Sequence, residues 1–180
     1  SVASRGLGDV YKRQLKELLS QKGLDGMMVT NLTHIRYLCG FTGSSATLVI
    51  TEEQTNFITD GRYVVQSEKE VKGANIIIDS VPHFEVIKNQ NLLTNGSKIA
   101  FDGKNVSHEG FQQISSVLSN IKLESITGLI EKMAMSKDDK ELEAIRTAVE
   151  ITDKAFAEVL PMVKIGVAVS YTHLTLPTKA

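Results

Sequence analysis

Short apolar runs that alternate with helical segments are the feature of this sequence that most constrains its fold. Val, Ile, Leu, Met and Phe dominate these runs, which predict buried strands at 25–30, 46–50, 55–59, 74–79, 97–102 and 122–126. The polar segment 51–54 joins two runs directly and predicts a hairpin. Strands interleaved with helices predict an α/β fold, and the hairpin makes its central sheet mixed.

Helical periodicity and capping residues locate the intervening helices. The first helical repeat of apolar residues starts at Leu15 and stops before Gly23. Glycine is common at the position just after a helix. Asn31 and Ser107 each precede a helical pattern, and their side chains can cap it. Further helices are predicted at 32–39, 63–71, 83–93 and after Ser107.

A long amphipathic helix follows Ser136, the residue predicted to cap it. Its apolar face needs a partner surface, so we interpret it as the first element of a second domain that is cut short. The sequence therefore predicts one domain at 15–132 and the first helix of another at 133–168. Residues 1–14 and 169–180 resemble translated sequencing-adapter read-through, and we expect both ends to be non-native.

Composition excludes several classes of function. The 180 residues carry a net charge of −1, whereas nucleic-acid-binding proteins usually present a basic face. No apolar run approaches the ~20 residues that span a membrane. The single cysteine, Cys39, cannot form an internal disulfide, which favours the cytoplasm. We expect neither nucleic acid nor a membrane as a partner.

The common catalytic and binding motifs do not occur in this sequence. His34, His83, His108 and His173 form no close pair and no HExxH motif, so the sequence predicts no metal site in this chain. The segment "GFTGSS" at 40–45 lacks the spacing of a phosphate loop and precedes a strand, so it predicts a tight turn. Cys39 ends a hydrophobic helix, where a buried, inert thiol is expected.

The segment "TDGRY" at 59–63 has both a structural and a catalytic interpretation. Asp60 and Gly61 form a turn after a strand, and Asp60 can cap the helix that starts near Arg62. Arg62 can pair with a carboxylate, and Tyr63 can pack its ring with the phenol outward. The cluster supplies no nucleophile with its base, which favours the structural interpretation.

Four segments together resemble a known family. "NLTHIRYLCGFTGSSATLVIT", "NFITDGRYVVQSEKE" and "KIAFDGKNVSHEGFQQI" are similar to the N-terminal domain of the creatinase, prolidase and aminopeptidase P family. "SKDDKELEAIRTAVEITDKAF" resembles the helix that opens that family's pita-bread catalytic domain. The resemblance covers 15–166. It implies a ribonuclease H-like α/β domain, followed by a truncated start of the catalytic domain. "EKMAMSK" lacks an arginine that the family often carries ahead of this lysine.

The resemblance also implies a function for the parent enzyme. Xaa-Pro peptidases of the family hydrolyse the bond before proline with two divalent metal ions, commonly manganese or cobalt. Two aspartates, a histidine and two glutamates of the catalytic domain hold these ions, and none has a matching position here. The resemblance therefore implies an inactive cap fragment that acts on proline-containing peptides only together with its missing catalytic domain.

In the family, the N-terminal domain closes one side of the cleft and builds a dimer or tetramer. By this resemblance Phe41, Arg62, Tyr63 and His34 are candidates to line the substrate cleft, while Asp60 and Gly61 shape the turn. Two alternatives stay open, a non-catalytic protein-binding module of the same fold and a creatinase-type amidinohydrolase.

Overall fold

A single six-stranded sheet organises the first of two compact units, residues 1–135 and 136–180. The computed structural model describes residues 7–166. The strands are β1 (Gly26–Val29), β2 (Thr47–Thr51), β3 (Thr55–Thr59), β4 (Asn75–Ile78), β5 (Lys98–Asp102) and β6 (Lys122–Ile126). They lie in the order β4-β3-β2-β1-β5-β6. Strand β2 is antiparallel to both of its neighbours, and the other pairs are parallel. The predicted mixed sheet and hairpin are confirmed.

Besides the short 3-10 helix Gly61–Tyr63, six α-helices accompany the sheet in the described part of this unit. They are α1 (Leu7–Gln21), α2 (Leu32–Cys39), α3 (Val64–Glu70), α4 (His83–Asn89), α5 (His108–Val117) and α6 (Leu129–Met135). The side chains of Asn31 and Ser107 accept hydrogen bonds from the first turns of α2 and α5, as predicted. Helix α6 has no counterpart among the predicted elements.

The strands separate two apolar clusters because successive side chains point to opposite faces of a sheet. On β1, Met27 and Val29 belong to one cluster, which also contains buried residues of α1, α2 and α6. Met28 belongs to the other cluster, with buried residues of α4 and α5. The sheet is therefore flanked by helices on both faces, as the α/β pattern predicts.

Helix α1 begins earlier than the predicted Leu15. Tyr11 stacks on Tyr37 with ring centroids 4.4 Å apart, and the Lys12 ammonium donates to the carbonyl of Lys72 at 2.7 Å. These contacts reach distant parts of the chain, so the spacing of apolar residues within the helix could not reveal them. Part of the predicted leader 1–14 is thus helical. Residues 1–6 and the predicted tail 169–180 lie outside the described residues.

The second unit contains α7 (Asp139–Val159) and a short 3-10 helix, Leu160–Met162. Asp138, not the predicted Ser136, caps α7, because only Asp138 has a glutamate, Glu141, in position to complete a capping box. The apolar side chains of Leu142, Ile145, Val149 and Phe156 are exposed. None of the described helices is both long and apolar enough to cross a membrane.

Candidate functional site

One edge of the sheet gathers the segments that the sequence analysis singled out. The carboxyl ends of β1, β3 and β5 lie there together with the amino end of β2, as the pairs Val29–Leu48 and Thr47–Ile58 show. Loop 40–46 enters β2 at this edge, and turn 60–63 leaves β3 beside it. We call these two segments the turn cluster.

Asp60 fixes the turn that follows β3. Its side chain accepts from the backbone N–H of Arg62 at 3.1 Å, which confirms the predicted cap. The same carboxylate accepts from Nε and Nη2 of Arg62, both at 2.8 Å. Through these bonds the Arg62 guanidinium lowers the pKa of Asp60, and Asp60 raises the pKa of Arg62. Both groups therefore stay charged across the physiological range.

Arg62 is fixed but open to solvent, since 68% of its side chain is exposed. Its guanidinium carbon lies 5.3 Å from the centre of the Tyr63 ring, within cation–π range. A guanidinium has five N–H donors, and Asp60 takes two of those of Arg62. The remaining donors form a fixed, accessible group of the kind that binds a carboxylate.

Tyr63 joins the two segments of the turn cluster. Its hydroxyl oxygen lies 2.6 Å from Oγ of Ser44 and accepts from the Ser44 backbone N–H at 3.2 Å. These bonds lower the pKa of Tyr63, and the charge of Arg62 acts in the same direction. The Tyr63 ring meets Phe41 edge to face, with centroids 5.4 Å apart. The predicted packing of the ring is confirmed.

A second set of hydrogen bonds holds loop 40–46 against α3. Glu70 accepts from the backbone N–H of Thr42 at 2.7 Å and from its hydroxyl at 2.9 Å. Gln66 donates to the same hydroxyl at 2.9 Å. The backbone bond from Thr42 is the main reason that the pKa of Glu70 is lowered. Gln66 and Glu70 share a helical face, but no local pattern links them to Thr42.

Gly43 permits the close approach of the loop to the two rings. A Cβ atom there would lie 2.2 Å from Cζ of Phe41 and 2.7 Å from Cε1 of Tyr63, far inside contact distance. Gly40 ends α2 with φ of 88°, a backbone conformation that favours glycine. Both glycines thus have a steric reason to be in this loop.

Two of the four cleft candidates are buried. Phe41 is 1% exposed and packs on Phe57 and Tyr63, so its ring anchors the turn cluster in the core instead of facing solvent. His34 is 8% exposed, so its ring is also buried instead of facing solvent. It shares the inward face of α2 with Ile35 and Leu38. Arg62 and Tyr63 are the candidates that remain accessible.

His34 lies beside two carboxylates, Asp102 at the end of β5 and Glu131 on α6. Its Nδ1 is 3.5 Å from Oδ2 of Asp102, and its Nε2 is 3.8 Å from Oε2 of Glu131. This is the group among the described residues whose chemistry suits a metal ion. Sequence reasoning missed it because the three residues are far apart in the chain and no short motif connects them.

Cys39 and segment 40–45 take the structural roles predicted for them. The Cys39 thiol is 1% exposed and donates to the carbonyl of Ile35 at 3.1 Å. Burial raises the pKa of Cys39, which makes the reactive thiolate scarce. Residues 40–45 lead into β2 and do not precede a helix, so they offer no helix N-terminus to a phosphate.

Comparison with known proteins places this fold in a family. The family model of the creatinase/prolidase N-terminal domain matches residues 12–135. The chain belongs to the creatinase/prolidase N-terminal domain family. Its first unit, with the sheet and the turn cluster, is the part that the family model covers.

Longer relatives resemble the chain beyond the creatinase/prolidase N-terminal domain. An uncharacterized peptidase, YqhT, of Bacillus subtilis is 30% identical over 165 residues, which are 86% of this chain and 44% of the relative. A Xaa-Pro dipeptidase from Bacillus anthracis is 25% identical, with a TM-score of 0.84 over 91% of this chain and 46% of that one. An X-Pro aminopeptidase from Thermotoga maritima is 28% identical, with a TM-score of 0.77 over 89% of this chain and 46% of that one. The chain thus spans about half the length of these relatives.

The described residues do not fit the two-metal centre that the family resemblance implies. Such a centre needs two aspartates, a histidine and two glutamates, whereas the group found here is one residue of each kind, His34, Asp102 and Glu131. Three ligands of this kind can hold one ion. The described residues therefore do not supply the ligand set of a two-metal hydrolytic centre.

Proposed function

We propose that this chain is the N-terminal part of a Xaa-Pro peptidase and that the turn cluster forms one wall of its peptide-binding cleft. The named peptidases among the similar structures, a Xaa-Pro dipeptidase and an X-Pro aminopeptidase, support the substrate class. The metal ions of such an enzyme would supply its hydrolytic chemistry from the catalytic domain, beyond the residues matched here. We expect the isolated chain to be inactive, and the parent enzyme to act in the cytoplasm as a homodimer or tetramer.

The single observation that carries this proposal is the state of Arg62. A guanidinium that is exposed, fixed by two bonds to Asp60 and left with unused donors is prepared to bind a planar anion. The carboxylate of a peptide substrate is such an anion. Because Asp60 already orders the side chain, binding costs little further side-chain entropy.

The other residues of the turn cluster act through Arg62 and Tyr63. Phe41 supports the Tyr63 ring from below, and Ser44 fixes its hydroxyl. Thr42 holds loop 40–46 on α3 through its hydrogen bonds to Glu70. The cluster contributes positioning and the exclusion of long substrates, and no group in it attacks the peptide bond.

Substitution of Arg62 in the full-length parent enzyme tests this role. Loss of a charge-assisted contact to the substrate should raise KM by about 10–100-fold in Arg62→Ala, and Arg62→Lys should recover only part of the loss because it lacks the planar fork. Arg13→Ala is the matched control, since Arg13 is an exposed arginine of α1. Its KM should equal that of the wild type.

A peptide amidated at its C-terminus separates carboxylate binding from other causes. The wild type should bind the amidated peptide as poorly as Arg62→Ala binds the free acid, and the variant should not distinguish the two. Unchanged KM and kcat in Arg62→Ala, with lowered stability, would make Arg62 purely structural. Metal-dependent cleavage of a Xaa-Pro dipeptide by the 180-residue chain would contradict the proposal that this part of the enzyme is inactive alone.

A further inference from the structure

We infer that His34, Asp102 and Glu131 form a binding site for one divalent transition-metal ion, with Zn²⁺ as the ion that best suits these ligands. One ligand atom from each residue lies within 4.8 Å of the others. One imidazole nitrogen with two carboxylate oxygens is a ligand set that Zn²⁺ accepts in proteins. The inference does not rest on the proposed peptidase function.

The position of the three residues in the fold supports the site. His34 follows β1, Asp102 ends β5 and Glu131 follows β6. These three strands are neighbours and run parallel, so their carboxyl ends open on the same edge of the sheet. Strands β2, β3 and β4 lie on one side of β1, and strands β5 and β6 lie on the other side. In α/β sheets, ligands commonly bind outside the carboxyl ends of strands where the strand order reverses in this way.

The polar atoms of His34 point to a ligand. The His34 side chain is 10% exposed, and its Nδ1 has no hydrogen-bond partner among the described residues. The ring nitrogens lie 3.5 Å and 3.8 Å from the two carboxylates, which is too far or too poorly aligned for direct hydrogen bonds. Two ligands about 2.1 Å from a tetrahedral ion are about 3.4 Å apart, close to the observed spacing of Nδ1 and Oδ2.

Charge balance favours a divalent ion at this position. Asp102 is 4% exposed, and no lysine or arginine of the described chain lies within ion-pair distance of it. Buried carboxylates are normally paired or coordinate a metal. A neutral imidazole with the carboxylates of Asp102 and Glu131 carries two negative charges, which one divalent ion neutralises.

Neighbouring groups already orient Asp102 and leave an entry path. Its carboxylate accepts from the backbone N–H of Lys104 at 3.1 Å and from the side-chain amide of Asn105. Ligands that are themselves hydrogen-bonded in this way are held in place for the metal. The Glu131 side chain is 40% exposed, so an ion and its remaining water ligands can reach the site from that side.

Zinc titration of the metal-free 180-residue chain tests the inference. Competition with a chromophoric zinc chelator should show one bound Zn²⁺ that depends on His34. Glu131→Gln should weaken binding by at least about tenfold, and Asn105→Ala, which changes only the support of Asp102, by about 10–100-fold. His108→Gln, at an exposed histidine of α5, is the matched control and should bind as the wild type does.

Histidine ¹⁵N resonances identify the ligand without a substitution in the core. Zn²⁺ should shift the ring nitrogens of His34 in the wild type, and circular dichroism should show that Glu131→Gln keeps its fold. The inference is overturned if the wild type binds no Zn²⁺ with the His34 resonances unmoved, or if Glu131→Gln and His34→Gln bind Zn²⁺ as the wild type does. The first result would mean that the three side chains come together without holding an ion.

Discussion

Replacement of Phe41 by alanine tests whether the turn cluster rests on the core. The ring is 1% exposed and meets Phe57 edge to face with centroids 4.7 Å apart. Truncation of a buried phenylalanine costs about 3–5 kcal/mol in transfer and cavity free energy. A domain of ordinary stability has about 5–15 kcal/mol in total, so Phe41→Ala should remain folded but unfold at clearly lower urea concentration.

Urea unfolding followed by near-ultraviolet circular dichroism measures this loss. Phe156→Ala is the matched control, because Phe156 on α7 is 63% exposed and should change stability by less than about 0.5 kcal/mol. A double-mutant cycle with Phe41→Leu and Phe57→Leu isolates the ring pair, which should contribute about 0.5–1.5 kcal/mol.

A cost below about 1 kcal/mol for Phe41→Ala, well under the range for buried rings, would refute the described packing. The ring would then sit at an accessible surface, as a residue that lines the cleft does. In that case its contact with Tyr63 would be incidental. The proposal that the core supports the turn cluster would then have to be abandoned.

Three further predictions concern single positions. Gly43→Ala places a Cβ 2.2 Å from the Phe41 ring and should destabilise the fold by about 1–3 kcal/mol in urea unfolding, while a neutral result would show that the loop moves freely. Cys39 should resist iodoacetamide in the folded chain and react in urea, because burial raises its pKa; rapid labelling of the folded chain would contradict its burial. Burial lowers the pKa of His83 below 6.5, although the charge of Asp60 opposes this. The unfolded chain therefore binds more protons just below pH 6.5, so stability should fall as pH drops through that value, and His83→Gln should flatten the slope of the urea midpoint against pH.

The sequence predicted those parts of the site that depend on neighbours in the chain. Asp60 caps the turn before Arg62 because its side chain reaches a backbone N–H two residues on. Asn31 and Ser107 cap their helices for the same reason. The pairing of β2 with β3 follows from a short polar turn between apolar runs.

Contacts between distant segments lay beyond the reach of the sequence. The cap of α7 is a different, local case, because Asp138 and Glu141 form a capping box only three residues apart that a choice of Ser136 overlooks. Thr42 and Glu70 could not be paired from their positions, since the pair forms only when loop 40–46 folds onto α3.

What the sequence by itself determined is the alternation of strands and helices, the hairpin and the turn at Asp60, because these depend on hydrogen bonds and periodicity within a few residues. Only the tertiary structure decided that α1 extends to Leu7, that the Phe41 ring is buried against Phe57 and Tyr63 and that His34 faces Asp102 and Glu131. Burial and the approach of charged groups depend on which elements the sheet brings together. Packing over the whole domain decides which elements come together, and this packing leaves no local pattern in the chain.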